Sequence, residues 1–458
     1  MSHGDGFERA YRRGVTEPVG PPPRRTRALP TAPFALHGAV ITPEAAWSKG
    51  YVTVADGRVA DVSTTAPQQV RVIDTNGVIL PGLVDLHGHP EFNVFPAWEP
   101  PTRYANRYRW RASAAYRALV RDPQNRLLDA LPAGTQTVYA EVRALVGGVT
   151  AIQGASAAST KTREPLVRNV DLWAFGQHKA RAMIDLPSAS SRDLPRLQKV
   201  LADIAAGEVT AFYLHLAEGA RGDERSRTEY QRFVDLGAAT PATNVIHGSA
   251  LSEAQVRELA DAGCRLVWSP QSNLRLYGET TLAGVALAAG MPVALGADWL
   301  PSGSVSLLDE LRVARRVLAG QGRPTTAADL VGMVTSGAAR VAGLDAHLGS
   351  LAVGRPADLV VLERLHEDPY ESVCLADPAA VRMVCIGGDV SYAREDWFAE
   401  LTGLVDGAAW PSSVERLIAW GVPMRVDTGF GDVAGARSLS AVRADLIAAY
   451  PQIGPIFA

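Results

Sequence analysis

The residues best suited to chemistry are histidines and carboxylates at the ends of short apolar runs. His87-Gly88-His89 follows Leu83-Val84-Asp85-Leu86, His215 closes Phe212-Tyr213-Leu214, His247 closes Asn244-Val245-Ile246, and Asp298 closes Val293-Ala294-Leu295-Gly296-Ala297. Alternate residues of an extended segment point the same way, so the imidazoles of His87 and His89 can face one ion. Taken singly, any of these histidines reads more readily as a hydrogen-bonded core or surface residue. Five placements at run ends together point to a metal centre. Such a centre serves attack by water, because a bound cation lowers the pKa of water from about 15.7 toward about 7. His3, His37, His178, His347 and His366 lack this placement and are expected to be structural or on the surface. Lys179, which could suggest a carboxylated lysine between two metals, lies outside any convincing strand end.

The elements that must position these groups alternate in type. Strand-like runs occur at Ile79 to Leu86, Val149 to Gln153, Val170 to Phe175, Ala182 to Asp185, Ala211 to Leu214, Thr243 to Ile246, Arg265 to Trp268 and Val293 to Leu295. Amphipathic helices intervene, one with explicit ends: Ser252 and Gln255 form a capping box, and Gly263 stops the helix. Eight such repeats predict an α/β fold, a (β/α)8 TIM barrel whose functional groups gather at the C-terminal strand ends. Short β-branched runs flank it, from Ala39-Val40-Ile41 to Val70-Arg71-Val72-Ile73 and again at Asp358 to Leu362 and Val381 to Ile386. One small β-sandwich built from both flanks of the chain is therefore expected. The predicted division is a flexible arm over 1–33, β-sandwich over 34–80, barrel over 81–344, β-sandwich again over 345–395, and a helical extension over 396–458. The helices of that extension are expected at Val414 to Ala419 and Leu439 to Ala449.

Composition narrows the partners. The 458 residues carry 45 Lys+Arg against 48 Asp+Glu, a net charge of −3, with 47% hydrophobic and 20% charged residues. This is an ordinary globular balance with no basic field to hold nucleic acid or an anionic membrane. The three cysteines, Cys264, Cys374 and Cys385, are too scattered for a disulfide framework, which fits a cytoplasmic protein. The apolar stretch Thr280 to Ala297 is broken by Gly284, Gly290 and Pro292 and makes a poor membrane span. Arg24-Arg25 mimics an export signal, but Pro30, Pro33 and His37 interrupt the apolar run such a signal needs.

Beyond single residues, the chain resembles the amidohydrolase superfamily. The likeness is carried by Pro81-Gly82-Leu83-Val84-Asp85-Leu86-His87-Gly88-His89, His215-Leu216-Ala217-Glu218, Val245-Ile246-His247-Gly248 and Ala294-Leu295-Gly296-Ala297-Asp298, and it extends to Gly349 through Val361. It is most similar to the branch of mononuclear cyclic deaminases, triazine hydrolases and imidazolonepropionase. The resemblance implies one divalent ion, zinc first and ferrous iron second, held by His87, His89, His215 and Asp298. It also implies that His247 orients the water and polarises the reacting atom, that Glu218 moves protons, and that Asp298 accepts the water proton. A nitrogen leaving group needs protonation, and Glu218 lies three residues after His215 on the same loop.

Departures from the family pattern bear on the substrate. Where such deaminases carry His-Cys-Pro-x-Ser-Asn, this chain has Trp268-Ser269-Pro270-Gln271-Ser272-Asn273, and the bulky Trp299 follows Asp298. Arg103, Arg107 and Arg111 recur at i+4 spacing among Tyr104, Tyr108 and Trp110, a pattern that suits a cationic aromatic lid able to stack a planar ring and pair with a carboxylate or phosphate. The bland reading of the same segment is a solvated helix or the contact of a homodimer. Trp98, Arg107, Trp110, Gln153, Asn273, Tyr277 and Trp299 are the candidate substrate contacts. The expected activity is metal-dependent hydrolysis of a C–N bond, other than a peptide bond, in a small cyclic or amidine-like substrate, by deamination or ring opening. Alternatives are chlorohydrolase-like displacement on a heteroaromatic ring and a catalytically silent binding protein.

Overall fold

A computed structural model of the protein describes residues 32–154, 165–171, 174–177, 179–188, 190–403, 410–429, 438–454 and 456. Most of the expected arm, with His3 and His178, lies outside the described residues. The fold is α/β, with two parallel sheets and one larger mixed sheet.

The parallel strands are β5 (Leu83–Asp85), β6 (Val149–Ile152) and β7 (Arg168–Asn169) in one sheet, and β8 (Ala180–Met183), β9 (Ala211–Leu216), β10 (Thr243–His247), β11 (Arg265–Trp268) and β12 (Val293–Leu295) in the other. Each runs parallel to its neighbours, as strands joined by crossover helices must. One apolar cluster draws a residue from nearly every strand: Val84, Ala151, Ala180, Tyr213, Ile246, Val267 and Ala294, with Val170 just past β7. Across the gap between the sheets, the Asp298 N–H donates to the His87 carbonyl at 2.8 Å, and Gly88 and Asp298 form an isolated parallel bridge. The helix Glu253–Asp261 has the capping box its sequence predicts, with both reciprocal bonds formed at Ser252 and Gln255.

Both flanks of the chain meet in one nine-stranded sheet. On the N-terminal side it contains β1 (Phe34–Ile41), β2 (Ala46–Ala55), β3 (Arg58–Ser63) and β4 (Arg71–Pro81). From the C-terminal side come β13 (Leu359–Glu363), β14 (Val381–Ile386) and β15 (Asp389–Arg394), and β13 pairs antiparallel with β4 from Leu359↔Pro81 to Glu363↔Gly77. Asp358, just before β13, takes a two-pronged hydrogen bond from Arg168 of β7 at 2.5 and 2.8 Å, tying this sheet to the parallel ones.

Several expected elements differ. Val414–Ala419 is not a helix but β16, which pairs with β17 (Val422–Asp427) and extends the sheet. Its reason is the turn: Trp420 and Gly421 both take positive φ, 47° and 80°, the two-residue turn that joins hairpin strands and that a helix cannot contain. Leu439–Ala449 is helical, as expected. The run Ile79 to Leu86 splits at Gly82, where a Cβ would lie 2.2 Å from Thr150 Oγ1. The third strand, Arg168–Asn169, lies earlier and is shorter than expected, because the chain already turns at Val170 and Asp171; the fourth begins two residues early, at Ala180.

Gly154, after β6, packs against the loop that carries His87 and His89. Its φ is +92°, and a Cβ there would come within 1.8 Å of the Gly88 carbonyl oxygen. Gly154→Ala is predicted to lower stability by about 3 kcal/mol, read as the urea midpoint, since both strain and clash oppose it. An unchanged midpoint would contradict this packing.

Candidate metal and proton-transfer site

The five predicted groups converge. His87 and His89 follow β5, His215 lies near the end of β9, His247 ends β10, and Asp298 sits three residues past β12. Asp85 clamps the first and last of these elements, because its Oδ1 accepts from the backbone N–H of His87 at 3.2 Å and of Ala297 at 3.1 Å. Ala217, His247 and Asp298 have φ values of 49°, 65° and 61°. Left-handed backbone at non-glycine residues is unfavourable and gathers where surrounding structure enforces it, at functional sites above all.

The side chains are buried, His89 most accessible at 12%. His87 Nε2 lies 3.1 Å from His215 Nε2 and 3.5 Å from Asp298 Oδ1, and His89 Nε2 lies 3.6 Å from the same oxygen. Ligands at zinc–nitrogen distances around a tetrahedral ion stand roughly 3.3 Å apart, so these separations suit a shared ion. Burial, reinforced by neighbouring imidazoles, holds His87 and His215 well below the ordinary histidine range. His89 is held at about 3 by burial, with His247 and Arg111 adding to the effect. Neutral imidazoles are the form that binds metal. Burial also pushes the Asp298 carboxyl well up, against a hydrogen bond from Ser272. A cation beside it reverses that preference, so the donor set fits a divalent metal.

Geometry offers two overlapping triads, His87–His89–Asp298 and His87–His215–His247. Hydrogen bonding separates His247 from the others. Asn273 Oδ1 accepts from Thr280 Oγ1 at 3.1 Å and Thr281 Oγ1 at 3.4 Å, so its amide nitrogen faces His247 Nδ1 at 2.9 Å. Nδ1 is thereby an acceptor, and a neutral His247 carries its proton on Nε2, which points toward Glu218 Oε2 at 3.7 Å and Asp298 Oδ2 at 3.9 Å. For His87 the opposite holds: Nδ1 contacts Ser269 Oγ at 2.8 Å, leaving the Nε2 lone pair to face the centre.

Glu218 sits beside this group. Tyr277 donates its hydroxyl hydrogen to Glu218 Oε1 at 2.5 Å, and Trp110 Nε1 donates to the Tyr277 oxygen at 2.9 Å. Glu218 Oε2 is left facing His247. A narrow cleft opens over these groups, and Arg107, Trp110 and Trp299 are in its wall with Arg111 and Ile184. Asn273 and Tyr277 act on His247 and Glu218 from behind. Gln153 instead donates to Asp171 at 2.9 Å and borders a separate cavity that shares Asp298 with the cleft. Trp98 is buried near Tyr104, with its backbone N–H on the Pro301 carbonyl, and is not brought to the cleft wall. Lys179, exposed, precedes the first residue of β8, at the end opposite the site.

Sequence reasoning missed Glu229 and Asp185. Glu229 Oε2 accepts from the Ala217 N–H at 3.0 Å and Oε1 from Tyr108 at 2.7 Å, holding the loop after β9. Its only signal was a place on the Tyr230–Phe233 face of an otherwise polar helix.

Residues 189–391 match the amidohydrolase family. A 5-methylthioadenosine/S-adenosylhomocysteine deaminase of Teredinibacter turnerae is 24% identical over 317 residues, 62% of this chain and 72% of that protein. The fold is shared with a zinc-bound adenosine deaminase of Xanthomonas campestris, at 20% identity and a TM-score of 0.57 over 85% of this chain and 96% of that one. It is shared too with a triazine hydrolase of Arthobacter aurescens, at 18% identity and a TM-score of 0.63 over 91% and 99%.

Because His247 holds its proton toward the centre, His247→Asn is expected to keep one equivalent of divalent metal per chain, whereas His215→Asn weakens metal binding by about ten-fold or more. Competition with a chromophoric chelator measures both. Equal losses would place His247 among the ligands.

Proposed function

Given that the chain belongs to the amidohydrolase superfamily and is a hydrolase acting on carbon–nitrogen bonds, we propose that it stands in the branch of cyclic deaminases and triazine hydrolases and deaminates a small planar ring bearing an amidine-like nitrogen. The observation that carries this reading is the placement of a carboxylate, Glu218, 3.7 Å from His247 Nε2 at the edge of the His/Asp cluster and open to the cleft. Ring opening of a cyclic amide would use the same groups and is told apart by the absence of released ammonia.

His87, His89, His215 and Asp298 would hold one divalent ion, zinc by the preference of histidine-rich sites that include a carboxylate. When bound, that ion supplies Lewis-acid activation of water at neutral pH. Asp298 takes the proton that the attacking water gives up, its Oδ2 lying 3.9 Å from His247 Nε2. The His247 Nε2–H is directed at the centre and stabilises charge that develops there, while Asn273 keeps the ring in that tautomer. Glu218 starts as the carboxylate, takes up a proton that originates in the attacking water, and delivers it to the departing nitrogen. Tyr277, bonded to Glu218 Oε1, leaves Oε2 free to make that transfer. The indoles of Trp110 and Trp299, 5.4 Å apart and inclined at 34°, give the cleft an apolar aromatic wall for a heterocycle to pack on.

The larger architecture is read in the same way. We take the eight parallel strands as a TIM barrel over about 81–344, supported by the cluster they share and by the Gly88–Asp298 bridge between the two sheets. The nine-stranded sheet is read as the β-sandwich of the flanks. No helix of the described residues is long and apolar enough to cross a membrane. Three buried free cysteines support a reducing compartment, and the cytoplasm is proposed.

The test is Glu218→Gln in the metal-loaded enzyme, assayed for ammonia release on a panel of aminated heterocycles and cyclic amidines. Metal content is expected to stay at one equivalent while release falls about 10²-fold or more. Undiminished turnover in this variant would reject the assignment of Glu218.

A further inference from the structure

The cleft has a second polar pole. The helix Arg107–Arg111 brings Arg107 and Arg111 one turn apart onto the same face, and both line the cleft. Arg107 is only 2% exposed, yet its Nε and Nη1 have no hydrogen-bond acceptor. Buried donors left unpaired are unfavourable and rare, so a guanidinium in this state at a cleft wall marks a place where an acceptor is missing. Three carboxylates balance its charge: Glu218 Oε2 is 3.8 Å from Nη1, and Glu229 Oε1 and Asp185 Oδ1 are 3.5 and 3.0 Å from Nη2.

Asp185 differs from the other two. It lies two residues beyond β8, next to the cleft-lining Ile184, and its side chain is 44% exposed. Both arginines reach it, Arg107 at Oδ1 and Arg111 at Oδ2, the latter at 3.4 Å. The grip is slack. Oδ1 makes no hydrogen bond despite its 3.0 Å approach, and the second contact is long beside the roughly 2.7–2.9 Å of a well-made guanidinium–carboxylate pair. Two planar forks are thus trained on one carboxylate, and it leaves Nε and Nη1 of Arg107 without an acceptor.

We propose that Arg107 and Arg111 are the receptor for a carboxylate on the substrate, and that Asp185 is a tethered stand-in which yields to it. This rests on the hydrolase reading above and sharpens it: the substrate class is a planar aminated ring bearing a carboxylate, and not a neutral base. Arg107 bridges the two poles, since Glu218 Oε2 stands between its Nη1 and His247 Nε2, at 3.8 and 3.7 Å. The carboxylate therefore docks on the Glu218 side of the reacting carbon. Exchange of one carboxylate for another leaves the charge of the cleft unchanged, whereas a neutral ring would leave the slack pair in place.

The probes are 4-fluorobenzoate and its neutral match 4-fluorobenzamide, titrated by fluorine NMR into the full chain, once metal-free and once zinc-loaded. Benzoate is expected to bind about five-fold or more tighter than the amide in both forms. Asp185→Asn, which removes the carboxylate the two arginines share, is expected to tighten benzoate about three-fold or more and leave the amide unchanged; Arg111→Met is expected to weaken benzoate about ten-fold. Arg107→Lys keeps the charge, loses the planar fork, and is expected to weaken benzoate as well. Equal binding of the two probes, no benzoate binding, or a response of benzoate to zinc alone and not to Asp185→Asn or Arg111→Met would each overturn the proposal. The metal-free arm keeps this result separate from the hydrolase reading, which stands or falls on metal content and ammonia release.

Discussion

Four imidazoles and a carboxylate are packed together with little exposure to solvent, and the protein alone does not balance them. Burial pushes His87 and His215 toward the neutral form and the Asp298 carboxyl toward protonation. Each of these is the less polar state of its group, and each carries lone pairs aimed at a common point. A divalent cation turns this arrangement from a penalty into a binding site, because it restores the carboxylate and uses the lone pairs. Much else in the molecule follows from holding these groups there before the ion arrives.

Three devices do the holding. Parallel strands place the groups at one end of two sheets, and Asp85 pins the His87 and Ala297 backbones together. Left-handed backbone at Ala217, His247 and Asp298 re-aims side chains that a regular strand would direct elsewhere. Outer hydrogen bonds then select proton positions: Ser269 on His87, and Asn273, itself fixed by two threonines, on His247. On the proposed assignment, these outer hydrogen bonds separate the ligands from the proton carriers, as they commonly do around metals.

The layout of the site was legible in the amino-acid sequence because its signals are local. A histidine or aspartate at the end of a short apolar run points to a strand terminus, and His87, His89, His215, His247 and Asp298 all lie at or just past one. What was not legible depends on contacts between distant segments. Asn273 and Tyr277 read as pocket residues, but bonds across 26 and 59 positions turn them toward His247 and Glu218. Asp185 and Glu229 look like solvated carboxylates until the helix Arg107–Arg111 folds over them. Val414–Ala419 has enough apolar residues to pass for a helix, and only the turn at Trp420-Gly421 and the waiting edge of the sheet make it a strand.

The most direct measurement of the central claim is anomalous diffraction from zinc-loaded crystals, recorded on both sides of the zinc absorption edge. The account predicts one peak per chain, within about 2.0–2.2 Å of nitrogen or oxygen atoms of His87, His89, His215 and Asp298, with His247 outside that distance. A peak elsewhere on the chain, or one bound through His247 in place of His215, would contradict it.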